Sequence, residues 1–215
     1  MPQEAPHAIV VIVTSAARYD EWISLPRAVR FPVEMIPPGG FDPQLLATWP
    51  DVVGRLEFSE GRLWYMPPCG DEQQDTVADV VVVLGTWVRS QPGFVLATNE
   101  AGMHLAGATR AADVAIWRRS ELGGRTGGLR RTPPVLAVEV AGQAESEAEL
   151  LPKAEWYLSV GVAVVWIVVP ETRQVVVVTA AGSDTYGSGR SLPEQPQLPR
   201  LAPAVDQLFF QLDHR

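Results

Sequence analysis

Three charged residues interrupt apolar sequence in this chain. Asp113 lies in Ala111-Ala112-Asp113-Val114-Ala115-Ile116-Trp117, Glu139 in Val135-Leu136-Ala137-Val138-Glu139-Val140, and Lys153 heads Lys153-Ala154-Glu155-Trp156-Tyr157-Leu158. An ionised group among such neighbours is costly unless a cation or several donors reach it. Two strand-borne carboxylates plus an ammonium form the smallest set that holds a hard divalent cation and activates water against a phosphodiester. Taken singly, each acid also reads as an ion pair at a strand end, and the lysine as a surface residue with its stem along a helix. Their combination points to metal-dependent nuclease chemistry.

The elements that must position these groups follow from periodicity and punctuation. Side chains alternate along a strand, so Asp113 shares a face with Ala115 and Trp117, and Glu139 shares one with Val135 and Ala137. Strands are expected at 94–98, 113–117, 135–140, 162–169 and 175–179, with a hairpin over 55–66 around Ser59-Glu60-Gly61. Glu57 lies on the first strand of that hairpin. Helical spacing runs from Asp71 to Arg89, with Val77, Val80, Val81 and Leu84 as its apolar stripe. A second helix is expected over 145–160, closed by Gly161, with Pro152 delaying its regular part to near Leu151. Asp42 and Pro43 suit the N-cap and first turn of a short helix running through Thr48. Residues 180–215 read as an irregular, proline-punctuated tail. Strands with helices between them make a mixed α/β sheet covered on both sides.

Composition sets the frame. A chain of 215 residues with 47% hydrophobic residues can bury one substantial core. Residues 1–40 read as an N-terminal extension, with Ala8–Val13 as a buried strand and Pro37-Pro38-Gly39-Gly40 as the seam, and residues 41–215 as the main domain. Lone Cys69 excludes an internal disulfide framework and fits a reducing, cytoplasmic setting. The apolar run 8–13 is too short to span a bilayer, so no membrane association is expected. The formal net charge of −8 works against nonspecific attraction to DNA, whereas Arg118-Arg119, Arg125 and Arg130-Arg131 gather positive charge locally around a glycine-rich loop at 123–128.

The order Glu57, Asp113, Glu139, Lys153 resembles the Uma-two family of restriction-endonuclease-like proteins, a branch of the PD-(D/E)XK nuclease superfamily. The similarity runs through Arg55-Leu56-Glu57-Phe58-Ser59-Glu60-Gly61, Arg110-Ala111-Ala112-Asp113-Val114, Pro133-Pro134-Val135-Leu136-Ala137-Val138-Glu139-Val140, Lys153–Tyr157 and Trp166-Ile167-Val168-Val169-Pro170, within about residues 41–212. The resemblance implies a restriction-endonuclease-like mixed β-sheet flanked by helices, a homodimer, and hydrolysis of DNA phosphodiester bonds. Asp113, Glu139 and the backbone carbonyl of Val140 would hold Mg2+ or Mn2+, Lys153 would position the nucleophile from a helix, and Glu57 would be an additional acid near the metal. Ala112 stands where the family commonly has proline, Ala141-Gly142-Gln143 replaces Leu-Ser-Pro, and Gln73-Gln74 lies where many relatives place a histidine. These departures alter the rim of the implied site and leave its ligands in place.

Other chemistries find no support. His7, His104 and His214 lack ligand spacing, and no CxxC accompanies Cys69. The glycines form neither a P-loop nor a dinucleotide fingerprint. Against the nuclease stands one reading of a different class, a catalytically weak or inactive nuclease-like scaffold that binds a protein partner or nucleic acid. Its basis is the acidic charge balance, the altered motif edges and the N-terminal extension.

Overall fold

The computed structural model describes residues 31–143 and 145–214. The strand expected at 8–13 lies outside the described residues. Among the described residues nine strands form one mixed sheet: β1 (Val33–Met35), β2 (Arg55–Ser59), β3 (Arg62–Met66), β4 (Phe94–Leu105), β5 (Ala108–Arg118), β6 (Leu136–Val140), β7 (Val164–Val169), β8 (Gln174–Thr179) and β9 (Gly182–Tyr186). The spatial order is β1-β3-β2-β5-β6-β7-β8-β9, with β4 pairing β5. Helix α1 (Asp71–Ser90) covers one face, α2 (Glu147–Ser159) the other, and a 3-10 turn (Val205–Phe209) leads into α3 (Phe210–Asp213). β1, inside the segment assigned to the extension, pairs antiparallel with β3 at the sheet edge.

The sheet separates two apolar layers. Val114, Ile116, Val138, Trp166 and Val177 face α1, which presents Val80, Leu84 and Trp87. Ala115, Trp117, Ala137, Val165 and Ile167 face α2, which presents Leu150, Ala154 and Tyr157. β6 and β7 are apolar on both faces apart from Glu139, as a doubly covered pair requires. They run parallel, joined by α2 as the crossover.

β5 is the strand on which the arrangement turns. Its outer edge meets β2 only at Phe58↔Thr109 and β6 only at Val114–Ile116. β2 and β6 therefore fork away from it, leaving residues 110–113 without a strand partner on that side. On its other edge β4 bulges between Thr98 and Ala101, level with Asp113, and Asn99 and Glu100 both take positive φ (59° and 57°). The bulge leaves the Asp113 carbonyl off the ladder, and the Thr98 hydroxyl donates to it at 3.0 Å.

Several elements differ from the sequence expectation. The helix expected through Thr48 is a 3-10 turn over Leu46–Thr48. The Thr48 hydroxyl accepts the Asp42 amide and donates back to the Asp42 carbonyl, while the Asp42 carboxylate takes the Gln44 amide, local bonds that compete with a helix. β4 runs on to Leu105 because the polar Asn99-Glu100 step that breaks its alternation is a bulge rather than an end. α2 begins at Glu147 despite Pro152, since the Glu149 carboxylate reaches back to the Ser146 amide (2.7 Å) and hydroxyl (2.9 Å) and fixes the first turn. Gly161 takes the expected left-handed conformation after it. The tail read as irregular supplies β9 and closes over α1, where the Asp79 carboxylate accepts the Gln211 amide at 2.8 Å and the Trp87 indole donates to the Pro199 carbonyl.

Ile167, fully buried against α2, tests the packing. Ile167→Ala should lower unfolding stability by about 2–5 kcal/mol in urea titrations with an unchanged m-value.

Candidate functional site

The fork on β5 is filled by charge. Lys153, on the second turn of α2, donates its amine to Glu57 Oε1 (2.7 Å), Glu139 Oε2 (3.0 Å) and the carbonyl of Ala111 (3.1 Å). The Ala111 amide donates to the same Glu57 oxygen at 3.2 Å. Both backbone groups of Ala111, left without a strand partner by the fork, are thus taken by side chains. Tyr157, one helical turn after Lys153, donates its hydroxyl to Glu139 Oε1 at 2.7 Å.

Asp113 stands on the other limb. Its Oδ2 accepts the Val140 amide at 2.7 Å, continuing by side chain the β5–β6 pairing that ends at Val114↔Val138. Its Oδ1 faces the Arg55 guanidinium at 3.3 Å, and Arg55 also reaches Glu100 at 3.7 Å. The Val140 carbonyl accepts from Gln73 Nε2 at 2.8 Å. The structure therefore brings Glu57, Asp113, Glu139, Lys153 and Val140 to one place, and the glutamine that stands near the family's histidine position holds the Val140 carbonyl.

Residue types alone do not mark four participants. Tyr157 and Gln73 have the spacing of apolar-face and rim positions; their signal is that Tyr157 follows Lys153 by four residues and Gln73 precedes Thr76 and Val80 on the buried face of α1. Arg55 shares a face with Glu57 two residues on. Glu100 is aimed by a bulge that leaves no trace in hydropathy.

Electrostatics follow from the count of charges. Glu57, Asp113 and Glu139 are buried, Glu100 sits at the rim with its side chain 38% exposed, and among the described residues Lys153 and Arg55 are the cations paired with them. Burial first, then the neighbouring carboxylates Asp113 and Glu57, push Glu139 up to about 8 from an ordinary 4.5, against the pull of Lys153. Burial also raises Asp113, opposed by the Val140 amide and Arg55, and lifts Glu100 to about 6. For Lys153 burial favours the neutral amine, but Glu139 and Glu57 outweigh it and hold the amine charged. Tyr157 is raised well above 10 by burial and by Glu139 and Glu57, so its hydroxyl stays a donor.

This donor set fits a hard divalent cation. The available atoms are oxygens, and each carboxylate oxygen bonded to one donor keeps a second acceptor direction. The acids outnumber the cations, and an added positive charge between Asp113 and Glu139 would stabilise the ionised form that burial disfavours. Among the described residues no group of three or more His, Cys, Asp or Glu is arranged as a metal cage.

A family model described as "Putative restriction endonuclease", Uma2, matches residues 44–209. A crystal structure of a "putative nuclease belonging to DUF820" from Anabaena variabilis superposes with a TM-score of 0.69 at 16% identity, covering 77% of this chain and 96% of that one. The fold is accordingly the mixed α/β, restriction-endonuclease-like one expected. A search of curated proteins finds no match. Among the described residues no helix is long and apolar enough to cross a membrane.

The Glu139 shift carries a testable sign. Between pH 4.5 and about 8 the folded protein keeps a proton that the unfolded chain has released. Stability of the metal-free protein should therefore fall as pH rises through that window and level off above it. Thermal melts in chelator should show this decline in wild type and a flatter profile in Glu139→Gln; an equal slope in both would place the titration elsewhere.

Proposed function

Because the chain belongs to the Uma2 family of restriction-endonuclease-like proteins, we propose that the forked strand houses a metal-dependent nuclease site that hydrolyses DNA phosphodiester bonds. The observation that carries this reading is the meeting of Glu57 from β2 and Glu139 from β6 on the Lys153 amine from α2, with Asp113 of β5 held beside them by the amide of Val140, the residue after Glu139. Asp113, Glu139 and the Val140 carbonyl would hold Mg2+ or Mn2+. Bound there, such an ion supplies Lewis-acid polarisation of the scissile phosphate and lowers the pKa of a water on it.

The chain's own groups divide the remaining work. Lys153 stays protonated, so its fixed positive charge stabilises charge developing on the phosphoryl oxygens, and it orients the attacking water by exchanging one of its three present acceptors for that water. Glu57 fixes that amine through its 2.7 Å bond and keeps it charged. Tyr157 holds one oxygen of Glu139 while the other faces Lys153. The Val140 amide and Arg55 orient the Asp113 carboxylate, and Gln73 orients the Val140 carbonyl. Lys153 in this scheme is not the general base, because the neighbours that position it also bind its proton.

One observation favours the scaffold reading. Both oxygens of Asp113, both of Glu139 and the Val140 carbonyl already have protein donors, so the cluster is satisfied without an added ion. Calorimetric titration with Mn2+ separates the two. The nuclease should bind the ion, lose that binding in Asp113→Ala and Glu139→Ala, and lose cleavage of plasmid DNA in both. Wild type without binding heat, or cleavage at equal rates in wild type and Glu139→Ala, would overturn the enzyme.

A second comparison addresses the amine. Lys153→Ala should lower the cleavage rate by about a hundredfold or more, the scale seen when a charge-stabilising donor is removed. Lys153→Arg should restore little, since Lys153 serves three acceptors from one nitrogen and a planar guanidinium spreads its donors over a wider fork.

A further inference from the structure

The segment 118–132 carries five arginines (Arg118, Arg119, Arg125, Arg130, Arg131) against one acid, Glu121, on a chain of net charge −8. Its residues line a cleft of about 790 Å³ beside the outer edge of β4. Arg118 is paired with Glu121, and Arg119 spends its donors on the carbonyls of Pro92 and Phe94, which anchors the base of the loop. Among the described residues Arg125 is exposed and has no hydrogen-bond or ion-pair partner, and Arg131 bonds only the Gln44 side chain, at 2.7 Å.

Register then shows where this charge leads. Arg130 pairs along the outer edge of β4 with Met103, and Met103 pairs on its other side with Arg110 of β5. Residues in cross-strand register share a face, so Arg130, Met103 and Arg110 form one row, and Met103 belongs to the layer under α2. Arg130 lies over the ring of Trp117 at 4.6 Å and Arg110 over Trp156 at 4.9 Å. Stacking on a ring face supports a guanidinium while leaving its in-plane N–H groups available. Arg110 Nε is buried and has no hydrogen-bond partner among the described residues. The next residue along β5, Ala111, is the one whose carbonyl receives Lys153. Arg130 and Arg110 thus stand on either side of the fully buried Met103, stepping positive charge from the loop toward the amine of Lys153.

The glycines suit that use. A side chain added at Gly123 or Gly124 would meet nothing within 4 Å, so packing does not demand glycine there. Bare backbone does allow a phosphate to approach the amides closely.

We propose that the glycine-rich loop and the Arg130–Arg110 row form a track for the phosphodiester backbone of DNA, guiding a strand from the edge of β4 to Lys153. The proposal rests on the nuclease reading of the site and assigns its substrate path. It resolves how an acidic protein would engage a polyanion: the repulsive charge lies on the body and the attractive charge on the approach. The nearest competing occupant, an acidic peptide, lacks the regular phosphate spacing along which several arginines count independently.

Binding of a fluorescein-labelled DNA duplex to the full chain, followed by anisotropy in calcium across a salt series, tests the track. Replacing Arg125, Arg130 and Arg131 together by Gln should flatten the plot of log affinity against log salt by about 3, roughly one unit per lost phosphate contact. Low-salt affinity should drop more than tenfold, while Arg62→Gln with Arg200→Gln, removed from this cleft, should leave the slope near wild type. Unchanged Mn2+ calorimetry in the triple variant shows that fold and metal site are intact. A wild-type slope in the triple variant, an equal loss in the control pair, no duplex binding by wild type, or equal competition by polyglutamate would each overturn the track. Mn2+ binding and its loss in Glu139→Ala stand apart from all four outcomes, so the track can fail while the metal-site reading survives.

Discussion

Lys153 has three hydrogens on its amine, and here each has an acceptor: Glu57, Glu139 and the carbonyl of Ala111. That single group ties four elements, since Glu57 comes from β2, Ala111 from β5, Glu139 from β6 and the lysine from α2. Without a buried cation the acids could not share this space in ionised form, and without the acids the ammonium could not be buried there. Removing one member leaves the others uncompensated, so cluster and fold are mutually dependent. The geometry that makes the contact possible is a defect in the sheet. Had β2 or β6 paired with β5 over residues 110–113, backbone would have satisfied Ala111, and no opening would exist for side chains.

The opposite edge of β5 carries a matching irregularity. Two successive non-glycine residues in the left-handed region, Asn99 and Glu100, each cost about 1–3 kcal/mol unless the surroundings impose them. The bulge they form sits level with Asp113 and directs Glu100 toward Arg55. Arg55 consequently lies between two carboxylates, one buried and one at the rim. Sheet distortion on both edges of one strand, at one level, concentrates the unusual chemistry of the molecule at that point.

Much of this was legible from residues, and what was hidden has physical causes. The alternation in β5 and the apolar runs of β6 and β7 identify central strands because burial on both faces leaves no room for polar residues. The same property exposes Asp113 and Glu139 as anomalies. Lys153 was within reach because its helix must cross back over the sheet between two parallel strands. Periodicity cannot register a bulge, so Glu100 and the length of β4 were invisible. Nor can it register a hydrogen bond across the sheet level from α1, so Gln73 read as a departure at the rim, although it holds the Val140 carbonyl. The C-terminal closure failed to register for another reason: its contacts with α1 run through the Asp79 carboxylate and the Pro199 carbonyl, which no apolar stripe reports.

The glutamine at position 73 also bears on why this site need not resemble others built on the same scaffold. Gly142 follows β6 so closely that a Cβ there would lie 3.2 Å from the Glu145 carboxylate and 3.3 Å from the Gln73 amide oxygen. The Gly142 amide donates to that carboxylate at 2.9 Å, so the turn after Val140 is held between Glu145 and Gln73. An amide side chain meets this geometry with a donor for the Val140 carbonyl and no net charge at any pH. A protonated imidazole would add a cation to a cluster in which Lys153 already pairs with Glu57 and Glu139, and Arg55 with Asp113 and Glu100. Glycine at 142 leaves room for the Gln73 amide, and Gln73 orients the Val140 carbonyl without altering the charge of the cluster.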